Sequence, residues 1–284
     1  MGYALTDVSV RLDGGDILHA VSCNLPEDKW ISLIGRTGAG KSTFAKAVKG
    51  LVPFYRGEYT RNGRTLPKDR QGRLKAVPQI GYVFQYPEQQ LFAATVEQEL
   101  AFALTMQGVS QASTEQAIHT VMEQTGIPAA LLQQNPFQLS GGLKRLVAIA
   151  SVLIADPELL ILDEPAAGLD PGRRRELLSR LRRWQQEKQR TVLFISHQME
   201  DVAEYSDEVI LINEGCILGH MGVHELFLKR VELMEQAGLP LPEQVQLLRL
   251  LERLSGRRLQ PASCREADVM ELARSVWFSR GRET

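Results

Sequence analysis

"WISLIGRTGAGKSTFAKAVKG" (residues 30–50) decides the fold. "WISLIG" (30–35) is a mostly apolar, β-branched run, the pattern of a strand buried on both faces. From Ser42 to Lys49 the apolar residues take helical spacing, and Gly50 stops the helix. Between strand and helix, "GRTGAGKS" (35–42) fits G-x-x-x-x-G-K-[ST]. In that setting the backbone amides of Gly35, Arg36, Thr37, Gly38, Ala39 and Gly40 are expected to point inward and cradle phosphate oxygens. Lys41 then reaches the β- and γ-phosphates, the Ser42 hydroxyl coordinates Mg²⁺, and Thr43 bonds an α-phosphate oxygen.

Outward from this loop, "IGYVFQ" (80–85), "LLILDE" (159–164), "TVLFIS" (191–196) and "EVILIN" (208–213) read as further buried strands. Helical patterns separate them, which predicts an α/β fold around a mostly parallel sheet. "LTDVSVRL" (5–12) alternates instead and reads as a half-exposed antiparallel edge. From Thr95 to Ala155 no strand pattern occurs, which predicts a helical insert. Thr95 with Gln98, and Ser113 with Gln116, read as capping boxes, and Gly126 and Pro128 close the second helix. Residues 1–224 are therefore expected to form one nucleotide-binding domain, and 225–284 a small helical appendage. Gly238 and Gly256 are placed to end its first two helices, and Ser263 with Glu266 to cap its third.

Two more motifs carry chemistry. "LLILDEP" (159–165) ends a buried strand in adjacent carboxylates. Asp163 suits Mg²⁺ held through water. Glu164, directed the other way along the pleat, can polarise an attacking water. Phosphoryl transfer needs both groups, so the pair gains weight beside a phosphate loop. In "LSGGLKR" (139–145), Ser140, Gly141 and Gly142 open a helix over 141–155, a natural anion seat. The loop at 35–42 already holds phosphates, so a second seat makes sense facing a nucleotide on another chain.

The ordered set "GRTGAGKS", "VFQYPEQQLF", "LSGGLKR", "LLILDEPAAGLDP" and "FISHQ" resembles an ABC-type ATPase subunit over roughly residues 3–220. The resemblance implies two subunits sandwiching ATP and Mg²⁺ head to tail, each signature helix closing on the γ-phosphate held by the other. It implies that Gln85 senses Mg²⁺ and the attacking water, that Asp170 lies at the dimer seam, and that His197 contacts the γ-phosphate. "VFQYPEQQLFAATVEQELAF", "DEPAAGLDP" and the helical tail resemble more narrowly the ATPases of energy-coupling-factor importers for vitamins and metal ions, in the second of their two paired types. That likeness implies a second ATPase subunit, identical or not. It also implies a transmembrane coupling protein, a separate substrate-binding membrane subunit, and a peripheral place on the cytoplasmic face of the cell membrane. Residues 85–103, with apolar Leu91 and Phe92 in an expected surface loop, are the expected docking surface.

Two positions depart from the family pattern. Leu143 stands where the signature usually has Gln, removing a polar contact near the partner's ribose. Arg11 and Leu12 stand where an aromatic usually stacks on adenine, which leaves weaker stacking or planar contact from Arg11.

The bulk composition fits this reading. The chain has 284 residues, 44% hydrophobic and 24% charged, with net charge −1. That balance gives no general field for nucleic acid and no acidic tail. Three widely spaced cysteines, Cys23, Cys216 and Cys264, lack metal-ligand spacing and fit a reducing compartment. No signal peptide is expected, since Asp7 precedes any long apolar run, and Leu146–Ala155 is too short to span a bilayer. The Leu177, Leu181, Trp184 stripe reads as core, Arg173–Arg175 as a solvated helix start, and Arg253, Arg257 and Arg258 as a solvated face, with contact to acidic lipid heads the alternative. Competing readings are a soluble ABC ATPase acting on nucleic acid or ribosomes, and a regulatory nucleotide-binding module without turnover. The single cassette without long heptads or a basic stripe disfavours the first; Glu164 with His197 disfavours the second.

Overall fold

A computed structural model describes residues 2–12, 14–70 and 74–280. The chain runs through β1 (Gly2–Leu12), β2 (Gly15–Pro26), β3 (Trp30–Ile34), α1 (Lys41–Lys49), β4 (Arg56–Arg61), β5 (Arg64–Thr65) and β6 (Ile80–Val83). The helical insert follows, as α2 (Val96–Met106), α3 (Gln111–Thr125) and α4 (Gly141–Leu153). The α/β frame resumes with β7 (Leu159–Asp163), α5 (Pro171–Lys188), β8 (Thr191–Ile195), α6 (Met199–Tyr205), β9 (Glu208–Asn213) and β10 (Cys216–Gly222). The tail adds α7 (Val223–Lys229), α8 (Val231–Gln236), α9 (Glu243–Ser255) and α10 (Glu266–Arg280).

One sheet has the order β10-β9-β3-β8-β7-β6, parallel from β9 to β6 with β10 antiparallel at the edge. The runs expected to be strands owe their continuous hydrophobicity to its two covered faces. Trp30, Leu160, Leu162, Val192 and Phe194 face the core shared with α2 to α5. Their neighbours Ile31, Leu33, Leu159, Ile161, Leu193 and Ile195 face α1 and the second sheet. This is the period-two alternation of a strand with apolar partners on both sides. The second sheet, β2-β1-β4-β5, is antiparallel. The 5–12 strand is antiparallel as expected, but it lies between β2 and β4 rather than at an edge. Its alternation marks one face on the core, not an unpaired rim.

Some helix starts differ from the sequence reading. Thr95 caps α2, accepting from Gln98 N at 3.2 Å, as its spacing predicts. The cap of α3 is Ser110, which accepts from Ser113 N at 3.3 Å, so Ser113 lies inside the first turn. Ser110 has the extended backbone a cap needs and its hydroxyl also reaches that of Ser113. Ser263 does not form a box with Glu266; its hydroxyl bonds Asp268 and accepts from Arg265 N at 3.1 Å. Gly126 and Gly256 end α3 and α9 in left-handed conformations.

The tail shares a core with the α/β frame. Val223, Leu226, Phe227, Met234, Val245 and Cys264 pack with Ile34, Met199, Val202 and Leu211 across the expected boundary at 224/225. Residues 281–284 of the expected appendage lie outside the described residues.

Leu91 is a correction. It is only 5% exposed and packs in the core of the helical insert. Phe92 is 60% exposed and Phe102 49%, and their rings meet edge to face at 4.8 Å. The backbone of Phe92 and Ala93 is tied to the buried Glu99 carboxylate at 3.0 and 2.9 Å, which turns Leu91 inward and Phe92 outward. Leu91→Ala should therefore cost about 2–5 kcal/mol, and Phe92→Ala no more than about 0.5 kcal/mol. Urea midpoints of the two variants measure this; equal shifts would contradict the burial.

Candidate functional site

The parallel register brings the loops after β3, β6, β7 and β8 to one edge of the sheet, where ligands of open α/β sheets bind. The loop 35–40 wraps the start of α1. Gly40 holds φ 104° as the residue before α1. A β-carbon on Gly35 would fall 2.3 Å from the Ile212 carbonyl oxygen, so only glycine fits there. The Lys41 ammonium donates to the carbonyls of Gly35 at 2.8 Å and Arg36 at 3.0 Å, curling back across the loop mouth. Burial lowers its pKa, and the charges of Glu164 and Asp163 oppose that shift.

Asp163 ends β7 and is buried. The Ser42 hydroxyl faces its Oδ1 at 3.5 Å, and the Tyr82 hydroxyl donates to Oδ2 at 2.9 Å. Burial, then the charge and acceptor of Asp163, push the Tyr82 phenol far above its ordinary pKa, so it stays a donor. Tyr82 was not singled out from sequence. It sits on β6 beside β7, and only the strand pairing shows that it reaches Asp163.

Glu164 does not continue the pleat. β7 stops at Asp163, and Glu164 adopts φ +50°, a left-handed conformation uncommon outside glycine. Its amide donates to Ile195 O at 3.1 Å, which ties the turn to β8. Its Oε2 accepts from Gln85 Nε2 at 3.0 Å, and its Oε1 lies 2.9 Å from His197 Nε2. The two groups that the family resemblance singles out thus bracket the carboxylate. Strain of this kind persists where surrounding contacts over-determine it, often at reacting centres.

Ser140 caps α4, its hydroxyl facing Leu143 N at 3.5 Å, and Gly141 and Gly142 form the first turn. This seat lies on the helical insert, apart from the phosphate loop on the α/β frame. Asp170 caps α5, accepting from Gly172 N and Arg173 N at 3.1 Å each. The Arg173 amide is the main cause of its lowered pKa. A β-carbon on Gly142 would come 3.3 Å from the Arg173 guanidinium, so Arg173 lies over the signature turn rather than only in solvent. Arg11 pairs with Asp16 at 2.6 Å, and its guanidinium carbon lies 5.1 Å from the Tyr55 ring centre.

Arg145 was missed by the sequence reading. It is buried on α4, holds Glu88 at 2.9 and 3.1 Å, and bonds the Ala167 carbonyl. One side chain thus joins the signature helix, the turn after Gln85 and the segment after Glu164. Its only sequence signal was a charge inside the apolar pattern of α4. Burial alone would raise the Glu88 pKa, but the Arg145 hydrogen bonds and charge lower it on balance.

The oxygen donors Ser42 and Asp163, with the Gln85 amide nearby, fit a hard cation completed by phosphate and water. Asp163 is a buried anion whose hydrogen-bond partners are neutral hydroxyls, so a cation there has a charge to meet.

The ABC transporter family pattern matches residues 18–167, and the chain belongs to that family. Relatives of the energy-coupling-factor type are among those it resembles. The chain is 37% identical over 243 residues to the energy-coupling factor transporter ATP-binding protein EcfA2 of Bacillus subtilis (strain 168), covering 85% of this chain and 88% of the relative. It is 36% identical over 265 residues to EcfA2 of Geobacillus kaustophilus (strain HTA426), covering 93% and 91%. Among solved structures, cbiO1 of Clostridium perfringens, part of the ABC transporter complex cbiONQ, matches with TM-score 0.74 and 29% identity, over 87% of this chain and 98% of that one. A post-hydrolysis ATP-binding cassette dimer bound to ADP and Pi shares the fold, with TM-score 0.67 and 21% identity over 78% and 98% of the two chains. The chain is an ATP-hydrolysing subunit that energises an importer.

Arg145→Ala should cost about 1–3 kcal/mol, because it removes the partner of the partly exposed Glu88 carboxylate and of the Ala167 carbonyl. The Glu88 part of this stability is fully present above the ordinary carboxylate pKa and is lost as pH falls from there through the lowered folded pKa. Denaturation of wild type and Glu88→Gln at pH 7 and pH 4 reads this out. The two proteins should differ at pH 7, and the gap should be narrower at pH 4, where part of the contribution is already lost; an unchanged gap would remove the pair from this role.

Proposed function

We propose that Glu164 orients and polarises the water that attacks the γ-phosphate of ATP held by residues 35–43. The bracket of Gln85 and His197 around its carboxylate carries this reading. A base held at both oxygens is pre-positioned, and in phosphoryl transfer positioning and electrostatics supply most of the catalysis. Lys41, freed from the Gly35 and Arg36 carbonyls, turns to the β- and γ-phosphates, while the amides of 35–40 take the phosphate oxygens. Thr43 reaches the α-phosphate. Ser42, Asp163 and Gln85 would hold Mg²⁺, which would supply positive charge to offset that of the phosphates. His197 contacts the γ-phosphate from its place beside Glu164.

In this reading Ser140, Gly141 and Gly142 serve the nucleotide of a second ATPase subunit, and Asp170 lies at the seam between the two. Arg173 beside Gly142 adds positive charge where Leu143 has removed a polar group. The solute is a vitamin or a metal ion, bound by a separate membrane subunit, and a transmembrane coupling protein joins it to this chain at the cytoplasmic face of the membrane. No described helix is long and apolar enough to cross a bilayer, which fits a peripheral seat. The exposed pair Phe92 and Phe102, with Met106, supports docking of that protein on the helical insert.

The division into a nucleotide-binding domain over 1–224 and an appendage over 225–284 is part of the same reading. α9 presents Leu250 and Leu254, 51% and 62% exposed, on one face at helical spacing. Such a stripe suits contact between the two ATPase subunits that persists while nucleotide opens and closes the far side.

Glu164→Gln should keep ATP binding, lower hydrolysis by about a hundredfold or more, and trap an ATP-bound dimer. Lys41→Ala should weaken ATP binding itself. Steady-state hydrolysis with nucleotide titration separates the two, and wild-type turnover in purified Glu164→Gln would end the assignment. Phe92→Asp with Phe102→Asp should abolish recovery with membranes and leave the ATPase activity of the detergent-free protein intact. Undiminished recovery in the membrane pellet would contradict the docking surface.

A further inference from the structure

Outside the nucleotide site, a large basic concavity lies in the tail. α7, α9 and the chain from 256 to 262 enclose a cleft of about 900 Å³. Its floor is apolar, from buried Phe227, Val245 and Leu248. Its walls carry Lys229, Arg249, Arg253, Arg257 and Arg258, against the acids Glu225 and Glu252.

Local geometry explains the concentration. Arg249 and Arg253 are four apart on α9 and share a face. Gly256, left-handed at φ 66°, ends the helix and turns Arg257 and Arg258 back over the same cleft. Glu252 fixes that turn by accepting from Leu259 N at 2.9 Å. Elsewhere in the chain Arg61, Arg145, Arg182 and Arg190 each pair with a carboxylate. Among the described residues, none of the five cations of the cleft forms an ion pair. The Arg249 Nε is buried and has no acceptor. A favourable helix dipole accounts for Arg253 in the last turn of α9, but not for the other four. Like charges gathered this way repel unless an anion joins them.

We propose that this cleft binds a phosphate-bearing organic molecule. Guanidinium groups match phosphate oxygens in paired hydrogen bonds, and the apolar floor takes the organic body that inorganic phosphate lacks. The phosphate is carried either by a soluble compound or by a lipid headgroup. The site is connected to the nucleotide loop. Phe227 shares a core with Ile34, the residue before Gly35, and a β-carbon on Gly238 would come 3.3 Å from the Arg36 side chain.

The test uses the full chain, saturated with MgADP so that the nucleotide loop is filled. Flavin mononucleotide and riboflavin are the soluble probes, differing only in the phosphate, and binding is followed by flavin fluorescence. Vesicles of phosphatidylglycerol and of phosphatidylcholine are the lipid probes, read by co-sedimentation. Arg257→Glu with Arg258→Glu is the variant; both residues are exposed and lie beyond the end of α9, off the Leu250 and Leu254 stripe, so basal ATPase activity and thermal unfolding should be unchanged. The expected result is flavin mononucleotide binding about tenfold or more tighter than riboflavin, with that advantage lost in the variant. Phosphatidylglycerol binding that depends on the same arginines, without flavin mononucleotide binding, supports the site and assigns the phosphate to a lipid. Equal binding of the flavin pair together with vesicle binding unaffected by the variant overturns the proposal.

Discussion

The nucleotide site depends on one carboxylate held at both oxygens. Glu164 accepts from Gln85 on one side and meets His197 on the other. Those two groups come from loops after different strands, and the contacts form only because β6, β7 and β8 are parallel and in register. A slip of one residue in β8 would turn its inward side chains to the opposite face and carry His197 away from Glu164. The left-handed turn at Glu164 is the local cost of this arrangement, offset by its amide bond to Ile195. The apolar runs of the sheet thus do more than form a core. Their burial on both faces fixes the register, and the register brings Gln85, Glu164 and His197 together.

A second constraint joins this site to the helical insert. Arg145 on α4 is buried, and its partners lie in two loops that flank the nucleotide edge. A buried guanidinium is stable only with its acceptors in place. Movement of the insert therefore cannot leave those loops behind without uncovering a charge. Glu88, three residues after Gln85, and Ala167, three after Glu164, are thus bound to the helix that opens at Ser140. The exposed Phe92 and Phe102 lie on the same insert, so force applied there has a polar path to the carboxylate bracket.

The elements legible in the sequence were those whose signal is local. The phosphate loop follows from glycine spacing between a strand and a helix, and the buried strands follow from continuous apolar runs. Thr95 was legible as a cap because its neighbours leave no better acceptor, whereas Ser110 and Ser113 compete within one turn and only backbone geometry decides between them. β2, β4 and β10 carry mixed polar patterns because one side faces solvent or a thin layer, so periodicity gave no clear strand. Leu91 was misjudged because a loop residue's side depends on what holds its backbone, here Glu99 from the following helix. Tyr82 and Arg145 act through partners distant in the chain, and nothing local to either marks those contacts.

The two departures from the family pattern have different physical consequences. At Leu143 the lost side chain is polar, and a neutral hydrogen bond contributes only about 0.5–1.5 kcal/mol. The backbone seat formed by Ser140, Gly141 and Gly142 is intact, and Arg173 stands over it, so charge near the seat is retained while the directional contact is not. At Leu12 the lost group is an aromatic face, which a leucine cannot replace by stacking. Arg11 is already committed to Asp16 and to the Tyr55 ring, so its planar group is held in place at that strand end. On the proposed reading the phosphate half of the nucleotide would meet the full set of groups at 35–43, and the base half would lack an aromatic partner from Leu12. Binding weighted toward the phosphates would make affinity follow the nucleotide's phosphate charge more than the identity of its base.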